Sequence, residues 1–306
     1  MGLHVIVGSG PVGSAAATEL LARGEQVRVV TRGGTGVEGT DRVAADAGDA
    51  NRMRELTRGA AVIYNCANPQ YHRWTTDWPP IAQSLLGAAE ANGAVLAITG
   101  NLYPYGPVTV PMTENLPDRP SSVKGKVRAA MWRDALEAQQ AGRIPGAVEV
   151  RASDYVGDCP SVLTMMVLPR VAAGKAAFVP ADLDAPHTWS NPGDEGRMLV
   201  RAATDDRGWG HVWHTPSAAP MSIRELSERA AAVAGYDKVR LWALPPVAVS
   251  LAAMFDPMTK EFKEMNYQFR RRFTLESAYT ASVFGSEFTP LDESVAQNVK
   301  AFQAGL

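Results

Sequence analysis

The chain has 306 residues, 46% of them hydrophobic and 20% charged, the balance of a soluble globular protein with one large domain or two of ordinary size. Thirty Lys and Arg against 32 Asp and Glu give a net charge of −2, so no global field draws it to nucleic acid or to an anionic membrane. The one dense basic run, Arg270-Arg271-Arg272 between Phe269 and Phe273, reads as a solvated face. Two cysteines, Cys66 and Cys159, are too few for a disulfide framework or a multi-cysteine zinc site, which points to a reducing, cytoplasmic setting. The N-terminus opens into a strand at Leu3 rather than a signal segment, and the apolar run Leu244–Met254 is too short, and too broken by proline, to span a bilayer.

In chain order, Leu3–Val7 reads as a strand, Ser14–Arg23 as a helix and Gln26–Thr31 as a strand. Arg42–Asp46 reads as a weaker strand, Asn51–Arg58 as a short helix and Ala61–Cys66 as a strand. Ile81–Ala91 is a helix stopped by Asn92-Gly93, and Ala94–Thr99 a strand. Val123–Ala141 is a long helix ending at Gly142, and Ala147–Arg151 a sixth strand. Strand–helix alternation requires crossovers, and so predicts a doubly wound, Rossmann-type α/β core: a parallel sheet with helices on both faces. Beyond Gly157 the rhythm loosens, with short strands at Ala177–Val179 and His211–His214 and a capped helix at Ser222–Ala234, Ser222 and Glu225 forming its capping box. The expected core is 1–155 with a returning stretch near 187–212. The expected substrate lobe is 156–186 with 213–306. Met254, Phe255, Met258, Phe262, Met265, Tyr267, Phe269 and Phe273 are expected to form that lobe's core.

Gly8-Ser9-Gly10-Pro11-Val12-Gly13 is G-x-G-x-x-G, directly after the first strand and opening the first helix. That context suits a tight turn, close backbone approach to a pyrophosphate and close helix–strand packing. The helix N-terminus then offers free N–H groups to the phosphates. The second strand ends Val29-Val30-Thr31-Arg32, without the carboxylate that would accept from an NAD ribose. A guanidinium there suits a 2′-phosphate, with Thr31 adding a hydroxyl, so NADP(H) is expected over NAD(H).

With these features the chain resembles the extended or atypical short-chain dehydrogenases/reductases, the NAD(P)-dependent epimerase/dehydratase family. The segments that carry the resemblance are Asp46-Ala47-Gly48-Asp49, Val62–Ala67, Arg151–Gly157, His187–Arg197 with Asp194, and Thr289-Pro290-Leu291. The resemblance implies that Asp46 and Ala47 lie at the adenine and that Cys66 and Ala67 pass the cofactor ribose. It also implies a possible homodimer through the two long helices.

The family's chemistry uses a Ser or Thr after the fifth strand and a Tyr-x-x-x-Lys on the next long helix, the lysine lowering the tyrosine's pKa. Thr99-Gly100-Asn101-Leu102-Tyr103 resembles the first motif, with Tyr105 offering a second register in which Asn101 takes the Thr99 role. At the second motif stands Ser122-Val123-Lys124-Gly125-Lys126, where Lys126 fits the lysine and Ser122 then falls at the tyrosine. No tyrosine occurs between Tyr105 and Tyr155. Three readings follow: Tyr103, Tyr105, Tyr155 or a water held by Lys126 supplies the proton; the substrate needs no acid there; or turnover is lost and the protein senses the redox state of its cofactor.

The resulting expectation is an NADP(H)-dependent oxidoreductase of a small, apolar or aromatic carbonyl or activated alkene. Catalysis would fall to Thr99, Tyr103 and Lys126, with Lys126 also binding the cofactor at the nicotinamide ribose, and substrate contacts to Asn101, Tyr105, Asp154 and Tyr155. The alternative is an epimerase or dehydratase that keeps its cofactor. No metal site is expected, because His211 and His214 fall on opposite faces of a strand.

Overall fold

Branched apolar runs separated by helix-period segments give six strands: Leu3–Val7 (β1), Gln26–Thr31 (β2), Asp41–Ala44 (β3), Ala60–Asn65 (β4), Val95–Asn101 (β5) and Ala147–Ala152 (β6). They are followed by Asp154–Tyr155 (β7), Ala177–Val179 (β8), Trp189–Ser190 (β9), His211–His214 (β10) and Leu241–Ala243 (β11). The structure is a computed structural model that describes residues 2–245, 247 and 264–304. The main sheet has seven strands in the order β10-β6-β5-β4-β1-β2-β3, and every pairing in it is parallel. All its C-terminal strand ends therefore lie along one edge, with a change of winding direction between β1 and β4, where such sheets bind ligands.

The helices are Pro11–Ala22 (α1), Ala50–Leu56 (α2), Trp74–Asn92 (α3), Val123–Gln140 (α4), Leu168–Ala172 (α5), Pro192–Ala203 (α6), Ile223–Val233 (α7), Ala278–Phe284 (α8) and Leu291–Ala304 (α9). α2, α3 and α4 bury one face of the sheet through Met53, Trp78, Leu85, Met131 and Ala135. α1 and α6 bury the other through Ala16, Leu20, Met198 and Leu199. At Gly196 a Cβ would come within 2.6 Å of the Val12 carbonyl oxygen, so glycine lets α6 approach α1 closely. A separate apolar cluster joins α5, α7 and α9 with β8, through Leu168, Val179, Leu226 and Val295. The Ser222–Glu225 capping box is present.

Two elements differ from the sequence reading. α3 begins at Trp74 and contains Pro79 and Pro80, whereas the sequence reading starts the helix after them. Trp74 and Trp78, one turn apart, are buried, while both prolines and the Thr75 and Thr76 that lose helical partners face solvent. Burial of two indoles on one face thus outweighs the helix-breaking prolines. His211–His214 pairs along β6 to become the seventh strand of the main sheet, so the returning stretch runs past 212 to His214. Of the expected lobe core, Met265, Phe269 and Phe273 are buried; Met254, Phe255, Met258 and Phe262 lie outside the described residues.

β10 is anchored by Trp213, fully buried, stacked on Tyr279 at 5.2 Å and donating its indole N–H to the Gly208 carbonyl at 2.8 Å. Trp213→Ala is expected to cost about 3–5 kcal/mol, read as a lower urea midpoint.

Candidate functional site

The β1–α1 turn carries the glycine loop to the C-terminal edge of the sheet. Gly8 has φ +104°, and a Cβ on it would lie 2.4 Å from the Cys66 carbonyl oxygen. A Cβ on Gly13 would lie 2.1 Å from the Gly8 carbonyl oxygen. Both glycines are therefore fixed by close backbone approach. Gly10 is different: no atom lies within 4 Å of where its Cβ would be. It is the N-cap of α1, with no side chain capping the helix. The loop thus presents uncapped N–H groups to open space, the arrangement an anion fits.

That space is a cleft of about 900 Å³ lined by Gly8, Ser9 and Gly10 of the loop, Thr31 and Arg32 after β2, Asp46 and Ala47 after β3, and Cys66 and Ala67 after β4. Pro11, Val12 and Gly13 line its continuation. The residues expected to hold a dinucleotide are thereby brought together, all but Lys126. Asp46 accepts from the Gly48 amide at 2.9 Å, ordering the turn it stands on. The Thr31 hydroxyl accepts from the Thr35 amide at 2.8 Å and so also shapes its own loop. Arg73, which the sequence reading missed, joins Arg32 on the cleft wall and is paired with Asp77 at 3.0 Å.

The cleft continues past Gly10, Cys66, Ala67 and Asn68 into a chamber of about 440 Å³. Thr99, Asn101, Tyr103, Asp154 and Tyr155 all line it. Thr99 donates to the Cys66 sulfur at 3.3 Å; burial pushes the Cys66 thiol up to about 12, so it behaves as a neutral packing group. The Asn101 side chain accepts from the Tyr103 amide at 3.1 Å. Burial pushes the Tyr103 phenol up to about 12, with Tyr71 and Gln268 against its hydroxyl. Asp154 is held by His187 at 2.9 Å, whose ring lies parallel to Phe269 at 5.5 Å and packs against Phe273 at 5.3 Å. Tyr155 donates to the buried Glu195 of α6.

Two expected site residues lie elsewhere. Tyr105 is 1% exposed; its hydroxyl bonds His214 at 2.7 Å and its ring covers the Arg151 guanidinium at 4.6 Å. It is a core residue, because the short helical turn at 103–105 points Tyr103 and Tyr105 in different directions. Lys126 is exposed and lines a separate groove of about 310 Å³ with Ala82, Gln83 and Leu86 of α3. Helical phase explains this: Ser122 is the N-cap of α4, accepting from Gly125 at 2.9 Å, and Lys126 lies two residues, or about 200°, from both Lys124 and Arg128.

Those two neighbours, one turn apart, are the buried cations of α4. Lys124 pairs with Glu264 at 3.2 Å and lies 4.5 Å over the Tyr71 ring. Arg128 lines the chamber, donates to the Thr99 carbonyl and stacks on Trp78 at 4.9 Å. Tyr71, Trp74, Gln268 and Phe273 complete the wall. A cue was present in the sequence: two cations at i and i+4 share a helical face.

The two motifs at the far end of the resemblance also meet. The Thr289 amide and hydroxyl donate to the Asp194 carboxylate at 2.8 and 2.9 Å, tying the start of α9 to the start of α6.

Among solved structures, the chain is similar to the UDP-glucose 4-epimerase of Thermotoga maritima with UDP-glucose, at TM-score 0.81 and 15% identity over 99% of each chain. It is similar to the Bordetella bronchiseptica enzyme WbmH in complex with NAD+, at TM-score 0.76 and 23% identity over 99% of each chain. A third is the dTDP-glucose 4,6-dehydratase DesIV of Streptomyces venezuelae with NAD bound, at TM-score 0.77 and 17% identity, covering 99% of this chain and 97% of that one. The chain shares the fold of these three proteins. No protein-family profile matches it, and no curated protein matches it. Within this fold, Lys124 and Arg128 stand at the spacing of the Tyr-x-x-x-Lys pair and on the face of α4 turned to the chamber and its Tyr71 wall, in place of the Ser122–Lys126 register.

Lys126→Met is expected to change stability by less than about 0.5 kcal/mol, since the side chain is exposed. Arg128→Met removes a buried charge-assisted hydrogen bond and is expected to cost about 1–3 kcal/mol. Urea unfolding of the two variants side by side checks the register.

Proposed function

We propose that the chain is an enzyme that binds a nicotinamide adenine dinucleotide along the sheet edge and uses it on a hydroxyl or carbonyl carbon held in the chamber. The observation that carries this is the continuity of cleft and chamber: the loop cradle leads directly to Thr99, Tyr103, Asp154 and Tyr155. When bound, the nicotinamide ring supplies a two-electron hydride donor or acceptor. The chain's own residues hold the pyrophosphate at Gly8–Gly13 and the adenine at Asp46 and Ala47. Cys66 and Ala67 flank the ribose. Arg128 presents a fixed cation beside Thr99, and Asp154, steadied by His187, offers an acceptor to substrate hydroxyls.

Two forms of that chemistry are open to this site. An epimerase or dehydratase that retains its cofactor is favoured by a likeness that spans the lobe as well as the core, the Thermotoga and Streptomyces proteins having those activities on nucleotide sugars. Net NADP(H)-dependent reduction of a small carbonyl or activated alkene is favoured by Arg32 and Arg73 at the adenine end and by the aromatic wall of Tyr71, Trp74 and Phe273. The cleft lining carries two guanidiniums and two carboxylates, Asp46 and Asp77, so it is the place of Arg32 directly after β2, rather than net charge, that suits a 2′-phosphate.

The experiment is a fluorescence titration of NADPH and NADH into cofactor-stripped protein, with analysis of what the purified protein carries. Dinucleotide that copurifies and is released only on denaturation supports the retained-cofactor form. Rapid exchange with tighter NADPH binding supports net reduction, and in that case Arg32→Ala is expected to weaken NADPH about 10- to 100-fold and NADH little. Binding of neither overturns the proposal. Gly10→Val, whose side chain would enter the open cradle, is expected to weaken either dinucleotide by at least about 100-fold. The same change is expected to move unfolding stability by no more than about 1 kcal/mol.

A further inference from the structure

Glu195 has no part in holding a dinucleotide, yet it is a fully buried carboxyl one hydrogen bond from the chamber. It lies in the first turn of α6, is 0% exposed, and accepts from the Tyr155 hydroxyl. Its second oxygen, Oε1, is buried without a hydrogen-bond partner. Tyr155, on β7, lines the chamber together with Thr99, Gly100 and Cys159. A buried acid normally costs free energy unless it is paired with a cation or kept neutral, and Glu195 has no ion pair among the described residues. The groups that face it are Arg128 from α4, Glu149 from β6, Tyr155 from β7 and the Gly100 backbone of β5, with Cys66 close enough to feel its charge. Arg128 is shared with Glu149, and Glu149 is itself bonded to Arg151 at 2.8 Å.

This arrangement resolves what replaces the absent tyrosine of α4. We propose that Tyr155 and Glu195 form a proton-transferring pair in the wall of the chamber, Tyr155 exchanging a proton with the substrate oxygen and Glu195 storing it. The proposal rests on the cofactor reading above. In the oxidative direction the substrate O–H bond breaks as an O–H bond forms on Tyr155, whose former proton passes to Glu195. The carbon-bound hydrogen would leave with its bonding electron pair, as a hydride, for which the nicotinamide dinucleotide of that reading would be the acceptor. The reductive direction reverses each transfer. Tyr155 is the catalytic residue of the pair; Glu195 acts through it. Tyr103 is the weaker candidate because its hydroxyl is taken up by Tyr71 and Gln268, and the carboxylate that acts on it, Asp154, is bonded to His187 rather than to the phenol. Desolvation holds Glu195 up at about 8, with Tyr155, Arg128 and Gly100 pulling it down and Glu149 pushing it up. That places the store where a proton can be both accepted and returned.

The test follows the Glu195 carboxyl by 13C NMR in full-length protein labelled at glutamate, assigned by its loss in Glu195→Gln. The expected titration lies near pH 8. In Tyr155→Phe the carboxylate loses its donor, so the midpoint moves higher. Saturation with NAD+, whose ring is cationic, moves it lower by about one unit for a charge within about 10 Å. A midpoint in the ordinary carboxylate range, or one that Tyr155→Phe does not move, overturns the pair. NAD+ that binds by fluorescence without moving the midpoint overturns its place at the reacting end. If NAD+ does not bind, the cofactor reading fails, and the Tyr155→Phe comparison still decides whether the two residues share a proton.

Discussion

The close approach of three backbone segments at the end of β1 is the constraint on which the rest depends. Gly8 lies against the carbonyl of Cys66, and Gly13 against the carbonyl of Gly8, so any side chain at either position would push α1 off the sheet edge. That contact fixes the N-terminus of α1 over the gap where the winding direction of the sheet changes. It also sets how closely α6 packs, since Gly196 meets Val12 and Ala15 of the same helix. Through α6 the constraint reaches Glu195 and Asp194, and through Asp194 the start of α9. A single backbone approach near the N-terminus thereby positions groups nearly 300 residues away in the chain.

The second organising feature is a set of charges buried under the C-terminal ends of β5 and β6. Arg151 bonds both Glu149 and Asp118, at 2.8 and 2.6 Å, and its guanidinium is covered by Tyr105. Arg128 faces the same cluster from α4, and Glu195 from α6. Desolvating five charges is costly, and well-packed apolar residues would often be as stable. Arg128 Nε and Nη1, Glu149 Oε1 and Glu195 Oε1 are all buried there without a hydrogen bond, and Glu195 is the acid of the cluster that has no ion pair among the described residues. The uncompensated acid sits next to the chamber rather than deep in the sheet, the pattern expected when a perturbed group serves chemistry rather than stability.

Much of the core was legible because its signals are local. β1, β2 and the α1 cap follow from branched apolar runs and glycine spacing, and the Ser222–Glu225 box needs only four residues. That the cleft-lining residues come together was legible because a parallel sheet places every β-strand's C-terminal end on one edge, so order along the chain becomes proximity in space. Tyr105 and Lys126 were misplaced for a different reason. Both depend on the phase of a helical turn, and a one- or two-residue error in where that turn starts moves a side chain to another face. Trp74, Trp78 and the prolines between them and Ile81 show tertiary burial overriding propensity, which no local rule reports. Glu195 was invisible because its partner, Tyr155, lies 40 positions earlier in the chain, and only packing brings them together.

The substitution on α4 has a consequence for charge that links these features. A tyrosine and a lysine at that spacing would give this face of α4 one cation; Lys124 and Arg128 give it two, of which Arg128 lines the chamber. The structure balances each separately. Lys124 is drawn to Glu264 on the lobe side, and Tyr71 lies beneath it. Arg128 is turned inward over Trp78 toward the Glu149 and Glu195 carboxyls. A guanidinium does not release a proton near neutrality, and the Lys124 ammonium is engaged by Glu264. On the proposed reading, the acid/base function is therefore sought on a neutral donor coupled to an ionisable store rather than on α4. Tyr155, which lines the chamber, forms such a pair with the buried Glu195 behind it, and the Tyr155 hydrogen bond together with the Arg128 cation draws the acid back toward ionisation.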